Sequence, residues 1–200
     1  MGRPREFDVD DALQTAMELF WRKGYEATSL ADLTEGMGIT KPSLYGYFGN
    51  KEELFRKALE RYERTKLCFL DSALAEPKAR DVAEKVLKGF ADIQTECSSP
   101  GGCMAVSGAL AGGEAAAHVQ KFLLESRQKP ERLLTQRFQR AADEGDLPAG
   151  QDPAELAQYI MTICQGTAVQ ASSGADREAL YRVIDTSLKC WPKDADKPSA

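Results

Sequence analysis

Apolar residues recur at intervals of three and four along nearly the whole chain, and no segment shows four or more alternations of β-branched or aromatic residues bounded by turn pairs. This constrains the fold most, because a period near 3.6 buries one face of a helix whereas a half-buried strand needs a period of two. The sequence predicts an all-α protein. A first helix is expected from about Asp8 to Lys23, with Ala12, Leu13, Ala16, Leu19 and Phe20 on one face and Gly24 as its stop. Two short helices follow. Thr28 or Ser29 caps the first, with Asp32 placed as in a capping box, and it ends at Gly36-Met37-Gly38. Thr40 opens the second, Pro42 sits in its first turn, and Gly49 closes it.

Asn50 with Glu53 then caps a long connector expected to reach about Leu74. Helical spacing resumes with Val82, Val86, Leu87, Phe90 and Ile93, and breaks at Ser98-Ser99-Pro100-Gly101-Gly102. A small-residue helix from Cys103 to about Ala111 leads to a long one from Ala115 to Glu144, which Pro130 should kink or split. Two last helices, about Pro153 to Ser172 and Asp176 to Trp191, precede a polar tail expected to fray.

Charge narrows the function classes. With 26 Lys plus Arg against 31 Asp plus Glu, this 200-residue chain does not coat nucleic acid or anionic membrane by bulk charge, and any such role rests on local basic patches. Five cysteines (Cys68, Cys97, Cys103, Cys164, Cys190) are odd in number and widely spaced, and the N-terminal MGRPREFDVDD lacks a signal-peptide apolar core. Reduced thiols in a cytoplasm are expected. The uncharged stretches 97–113 and 156–175 carry too many Gly, Pro, Ser, Thr and Gln residues to face lipid, so no membrane partner is expected and the second stretch reads as buried in protein.

Two short helices joined by a turn containing Gly38 form a helix-turn-helix pattern. Leu30, Leu33, Met37, Ile39, Leu44 and Phe48 make its small core. Lys41, Ser43, Tyr45 and Tyr47 lie along the exposed side of the second helix, with Lys51 at the start of the connector. Lysines at helix starts oppose the helix dipole and are better explained by an anionic partner. Helix-terminal amides, helped by the Thr28, Ser29 and Thr40 hydroxyls, can face phosphates.

The run from Thr28 to Leu54 resembles the signature of the TetR family of bacterial transcriptional regulators. Its landmarks are a threonine before the first short helix, the turn glycine Gly38, Leu44-Tyr45 in the recognition helix, then Phe48, and Lys51-Glu52 opening the connector. Ala16, Leu19, Phe20, Gly24 and Tyr25 extend the likeness, so it covers Phe7 to about Leu59. Thr34 and Gly36 stand where alanines are usual, and Gly46 stands where a larger side chain is common. The resemblance implies a helix-turn-helix domain over 1–55, a helical ligand-binding and dimerisation domain over 56–192, and a disordered tail over 193–200.

It further implies a homodimeric repressor of a palindromic double-stranded DNA operator. The implied DNA-contacting set is Thr28, Ser29, Thr40, Lys41, Pro42, Ser43, Tyr45, Tyr47 and Lys51, and an apolar or amphipathic small-molecule effector would be held among Phe90, Cys103, Met104, Phe122, Phe138, Met161, Cys164 and Gln165. The last two helices are apolar on more than one stripe, so a second subunit is expected to cover them. Residues 1–55 carry six cations and ten anions, so Arg3, Arg5, Lys41 and Lys51 must be the cations at the duplex, with weak non-specific binding.

Cys103 starts a helix after Pro100-Gly101-Gly102, which suits either a reactive thiolate or a small residue filling a tight corner, and Cys97 is near enough in sequence to partner it in redox chemistry. His118 is the single histidine and lies at no metal spacing, nothing calls for a cofactor, and no carbonyl-stabilising site supports an enzyme. The competing function class is a helical, dimeric metabolite or thiol sensor that binds no DNA.

Overall fold

The computed structural model describes residues 7–97, 99–110 and 117–192. Arg3, Arg5, Ser98, Ala111, the expected helix start at Ala115 and the tail 193–200 lie outside them. Among the described residues the regular structure is helical throughout: α1 (Val9–Lys23), α2 (Leu30–Met37), α3 (Lys41–Phe48), α4 (Lys51–Lys66), α5 (Phe69–Leu74), α6 (Ala79–Gln94), α7 (Met104–Leu110), α8 (Ala117–Asp143), α9 (Pro153–Ser172) and α10 (Arg177–Lys189). Among them no helix is long and apolar enough to cross a membrane.

Local chemistry sets most of the boundaries. Asp8 accepts the amides of Asp10 and Asp11 to start α1, and Asp152 and Asp176 cap α9 and α10 in the same way. Reciprocal capping boxes open α2 (Ser29 with Asp32) and α4 (Asn50 with Glu53). Gly38 ends α2 in the left-handed region at φ 66°, which an L side chain there would resist.

Two boundaries differ from expectation. The connector is two helices, because α4 stops at Lys66 and α5 begins at Phe69, and no glycine or proline marks the break. The long helix α8 runs unbroken through Pro130. Its ring is buried, and Ser126 and Leu134, one turn to either side, are buried too, so burial of this face offsets the one amide hydrogen bond that proline removes.

The helices form two compact units. One takes α1–α4, α7 and α8 as far as Glu125, so the division expected after residue 55 falls within α4. Its core is built on Ala16, Phe20, Leu33, Leu44, Phe48, Leu54, Phe55 and Tyr62, all under 3% exposed. The other takes α5, α6, the Gly101-Gly102 loop, α8 from Ser126, α9 and α10. In it the buried Arg137 guanidinium donates to the carbonyls of Leu74, Glu76 and Pro77, tying the α5–α6 turn to α8. The Asp146 carboxylate accepts from the Ala79 amide and so caps α6.

Gly89 admits Phe69 to the surface of α6: a Cβ there would lie 2.3 Å from two carbons of the Phe69 ring. Gly89→Ala is therefore expected to lower stability by about 1–3 kcal/mol through overpacking, read as a lower urea midpoint at unchanged slope.

Candidate nucleic-acid interface

An eight-residue helix is too short to persist alone, so α3 depends on its neighbours. Leu44 and Phe48, one turn apart, are fully or almost fully buried and pin it, while Lys41, Pro42, Tyr45, Gly46 and Tyr47 are exposed. Tyr45 and Tyr47 are 50% and 58% exposed, which is far from the packing role that a tyrosine pair in a small core would have. Phe7 backs Tyr47 edge-on, with ring centroids 4.9 Å apart. A Cβ at Gly46 would meet nothing within 4 Å, so packing inside the chain does not demand the glycine.

The hydroxyls divide into committed and available groups. Thr28 is fully buried and donates to the Gly24 carbonyl at 2.6 Å. A buried hydroxyl with its proton committed has none for a phosphate, so the Thr28 side chain drops out of the contact set. Ser29 is exposed, yet its hydroxyl accepts from the Asp32 amide and donates to the Asp32 carboxylate at 2.6 Å. Thr40 accepts the Ser43 amide, and the two hydroxyl oxygens lie 3.0 Å apart. One hydrogen bond joins that pair, so one of the two protons remains for an outside acceptor.

The cations are positioned by their neighbours. The Lys51 ammonium lies 4.3 Å from the centroid of the Tyr25 ring, which itself packs edge-on to Phe55. Partial burial there lowers the Lys51 pKa, against the pull of Glu26 and Asp32, and burial likewise raises that of Tyr25, with Glu52 and Glu26 adding to it. Lys23 is paired with Asp32 at 2.6 Å. Lys41 is exposed at the first position of α3.

Comparison with known proteins decides the family. The model described as "Bacterial regulatory proteins, tetR family" matches residues 12–58, and that described as "Tetracyclin repressor-like, C-terminal domain" matches residues 80–187. The chain is 36% identical over 194 residues to the HTH-type transcriptional repressor ComR of Escherichia coli (strain K12), covering 96% of this chain and 92% of that one. The chain belongs to the TetR family of bacterial regulatory proteins.

Among solved structures, a triple cysteine mutant of the TetR family transcriptional regulator CifR, complexed with 26-base-pair double-strand operator DNA, is 41% identical with a TM-score of 0.87, over 96% of this chain and 100% of that one. Reduced Escherichia coli NemR shares the fold at 20% identity and a TM-score of 0.77, over 94% of this chain and 98% of that one. As a TetR-family transcriptional regulator, the protein presents α2 and α3 as its helix-turn-helix.

Sequence reasoning missed several supports of this surface. Lys57 on α4 donates to the Tyr47 and Phe48 carbonyls, Lys23 reaches Asp32, and Phe7 backs Tyr47. Nine or ten residues separate the lysines from these partners, a spacing that no local motif encodes. Of the effector residues expected, Phe90, Cys103, Phe138, Met161, Cys164 and Gln165 lie in the second unit, and Met104 and Phe122 in the first. Phe90, Cys103, Met104, Phe138, Met161 and Cys164 are buried, whereas Phe122 and Gln165 are partly exposed. The five cysteines are thiols, Cys97 exposed and Cys103 buried, and burial pushes the Cys164 thiol far up, helped by nearby Cys103.

Asp32 gives this unit an acid sensitivity. The Lys23 ammonium, then the Ser29 hydroxyl and amide, hold its carboxyl well below the usual carboxylate range. A carboxyl with a lowered folded pKa contributes stability that is present above its unfolded pKa of about 4 and is lost as pH falls through the folded value. Asp32→Asn is expected to be less stable than the parent at neutral pH, with the difference closing below about pH 4. Denaturant midpoints measured across pH 2–7 check this.

Proposed function

We propose that this protein is a homodimeric transcriptional repressor that reads a palindromic operator with one α3 per subunit and lets go when an effector binds or a thiol is modified. The observation that carries this reading is a short helix pinned by Leu44 and Phe48 that leaves Lys41, Tyr45 and Tyr47 in solvent. The contacting set is Thr40, Lys41, Pro42, Ser43, Tyr45, Tyr47 and Lys51, with Ser29 holding the start of α2. The operator complex of CifR supports it by similarity. The reading places the protein in the cytoplasm as a regulator without catalysis.

Dimerisation through α9 and α10 is supported by their outer surface. Tyr159, Thr162, Gly166 and Val169 are exposed and uncharged along α9, and Val183 on α10 is 49% exposed. A Cβ at Gly166 would meet nothing within 4 Å. A mid-helix glycine costs about 1 kcal/mol relative to alanine, and close approach of a partner helix gives it a use. Two subunits would form a four-helix bundle and set the recognition helices about 34–36 Å apart, one DNA turn. Val183→Asp is expected to shift sedimentation at micromolar concentration toward monomer and to weaken operator binding with it.

The effector is apolar or amphipathic, and within the second unit Phe90, Cys103, Phe138, Met161, Cys164 and Gln165 are its proposed lining. Cys97 and Cys103 are the proposed oxidant-responsive pair. Selection of random duplex DNA with the purified protein tests the central reading. A palindrome with half-sites one turn apart is expected, and failure to enrich any duplex would favour a sensor that does not touch DNA.

A further inference from the structure

The carboxyl end of α3 carries orphan carbonyls that its own helix cannot satisfy. The Gly49 amide takes the Tyr45 carbonyl at 3.1 Å. Lys57, on the next helix, brings its ammonium to 3.2 Å from the Tyr47 carbonyl and 3.3 Å from the Phe48 carbonyl. The same nitrogen lies 5.8 Å from the centroid of the buried Phe48 ring. A cation at a helix carboxyl terminus is favoured by the dipole, and here one point charge bridges the last two residues of α3.

The location matters because α3 has few other constraints. Its amino end is set by the Thr40 cap and by Leu44, and its carboxyl end by Phe48 and Lys57. Tyr47, whose carbonyl Lys57 holds, presents one of the two most exposed aromatic rings of the DNA-binding unit. In the DNA-binding reading, a small rotation of that end would move the ring relative to the duplex.

We propose that Lys57 is a positioning residue for operator readout, its charge directed inward to the Tyr47 and Phe48 carbonyls and not outward to phosphate. The inference rests on the DNA-binding reading above. It separates specific from non-specific affinity, since a misplaced recognition helix loses base contacts but keeps its phosphate attraction.

The test uses full-length protein, the duplex enriched by the parent, and an unrelated duplex of equal length. Lys57→Met removes the clamp and Lys57→Arg keeps two donors on a cation. Both are compared at a temperature where circular dichroism shows every variant folded. Lys57→Met is expected to lose about tenfold in operator affinity, the scale of one charged hydrogen bond. Its affinity for the unrelated duplex and its salt dependence stay unchanged, the Gly49 amide exchanges faster, and Lys57→Arg recovers most of the loss. A parallel fall on both duplexes, with a salt slope shallower by about one per subunit, would mean a phosphate contact and overturn the proposal. Equal operator affinity in Lys57→Met and parent overturns it too, while the DNA reading stands. A parent that enriches no duplex overturns the DNA reading and this inference together.

Discussion

The burial of Leu44 and Phe48 is the contact on which the functional surface depends. Eight residues of helix have too few hydrogen bonds to offset nucleation, so α3 exists because those two side chains leave water between α2 and α4. The rest of that unit serves the contact. Phe20 and Phe55 meet edge to face 5.0 Å apart in the unit's core, and caps at Ser29, Thr40 and Asn50 set where each helix begins. With its apolar stripe used inward, α3 leaves Lys41, Pro42, Tyr45, Gly46 and Tyr47 exposed to a partner.

The acidic composition gains a physical meaning from this arrangement. Four of the five surplus negative charges fall in residues 1–55, within the part that reads DNA. Several of the charges there are already engaged: Asp32 is held by Lys23 and Ser29, Glu53 accepts from the Asn50 amide, and Lys51 lies over Tyr25. Little bulk attraction remains. Affinity must come from placed cations and helix-terminal amides, with two subunits acting together in the proposed dimer, and such an interface favours discrimination over strength.

What was legible in the sequence was punctuation. Side-chain caps at Ser29, Thr40 and Asn50, with glycine stops at 24, 38 and 49, act within four residues and leave their mark in order along the chain. The break between α4 and α5 left no such mark, since Leu67 and Cys68 are neither glycine nor proline. Pro130 does not split its helix: α8 is continuous through it, with the proline ring on the buried face. Within the proposed site, residue types marked α3 as the helix with exposed polar and aromatic side chains but not which atoms are available. That the Thr28 hydroxyl turns inward, and that Lys57 reaches over to α3, depend on how helices pack and not on their spacing.

If DNA affinity arises from a few placed charges, the dependence of operator binding on salt measures their number directly. In the proposed dimer, with Lys41 and Lys51 from each subunit, log affinity against log salt should fall with a slope of about −4, or about −7 if arginines 3 and 5 also engage. A slope of about −10 or steeper, the behaviour of a repressor bound mainly through bulk phosphate contacts, would contradict it.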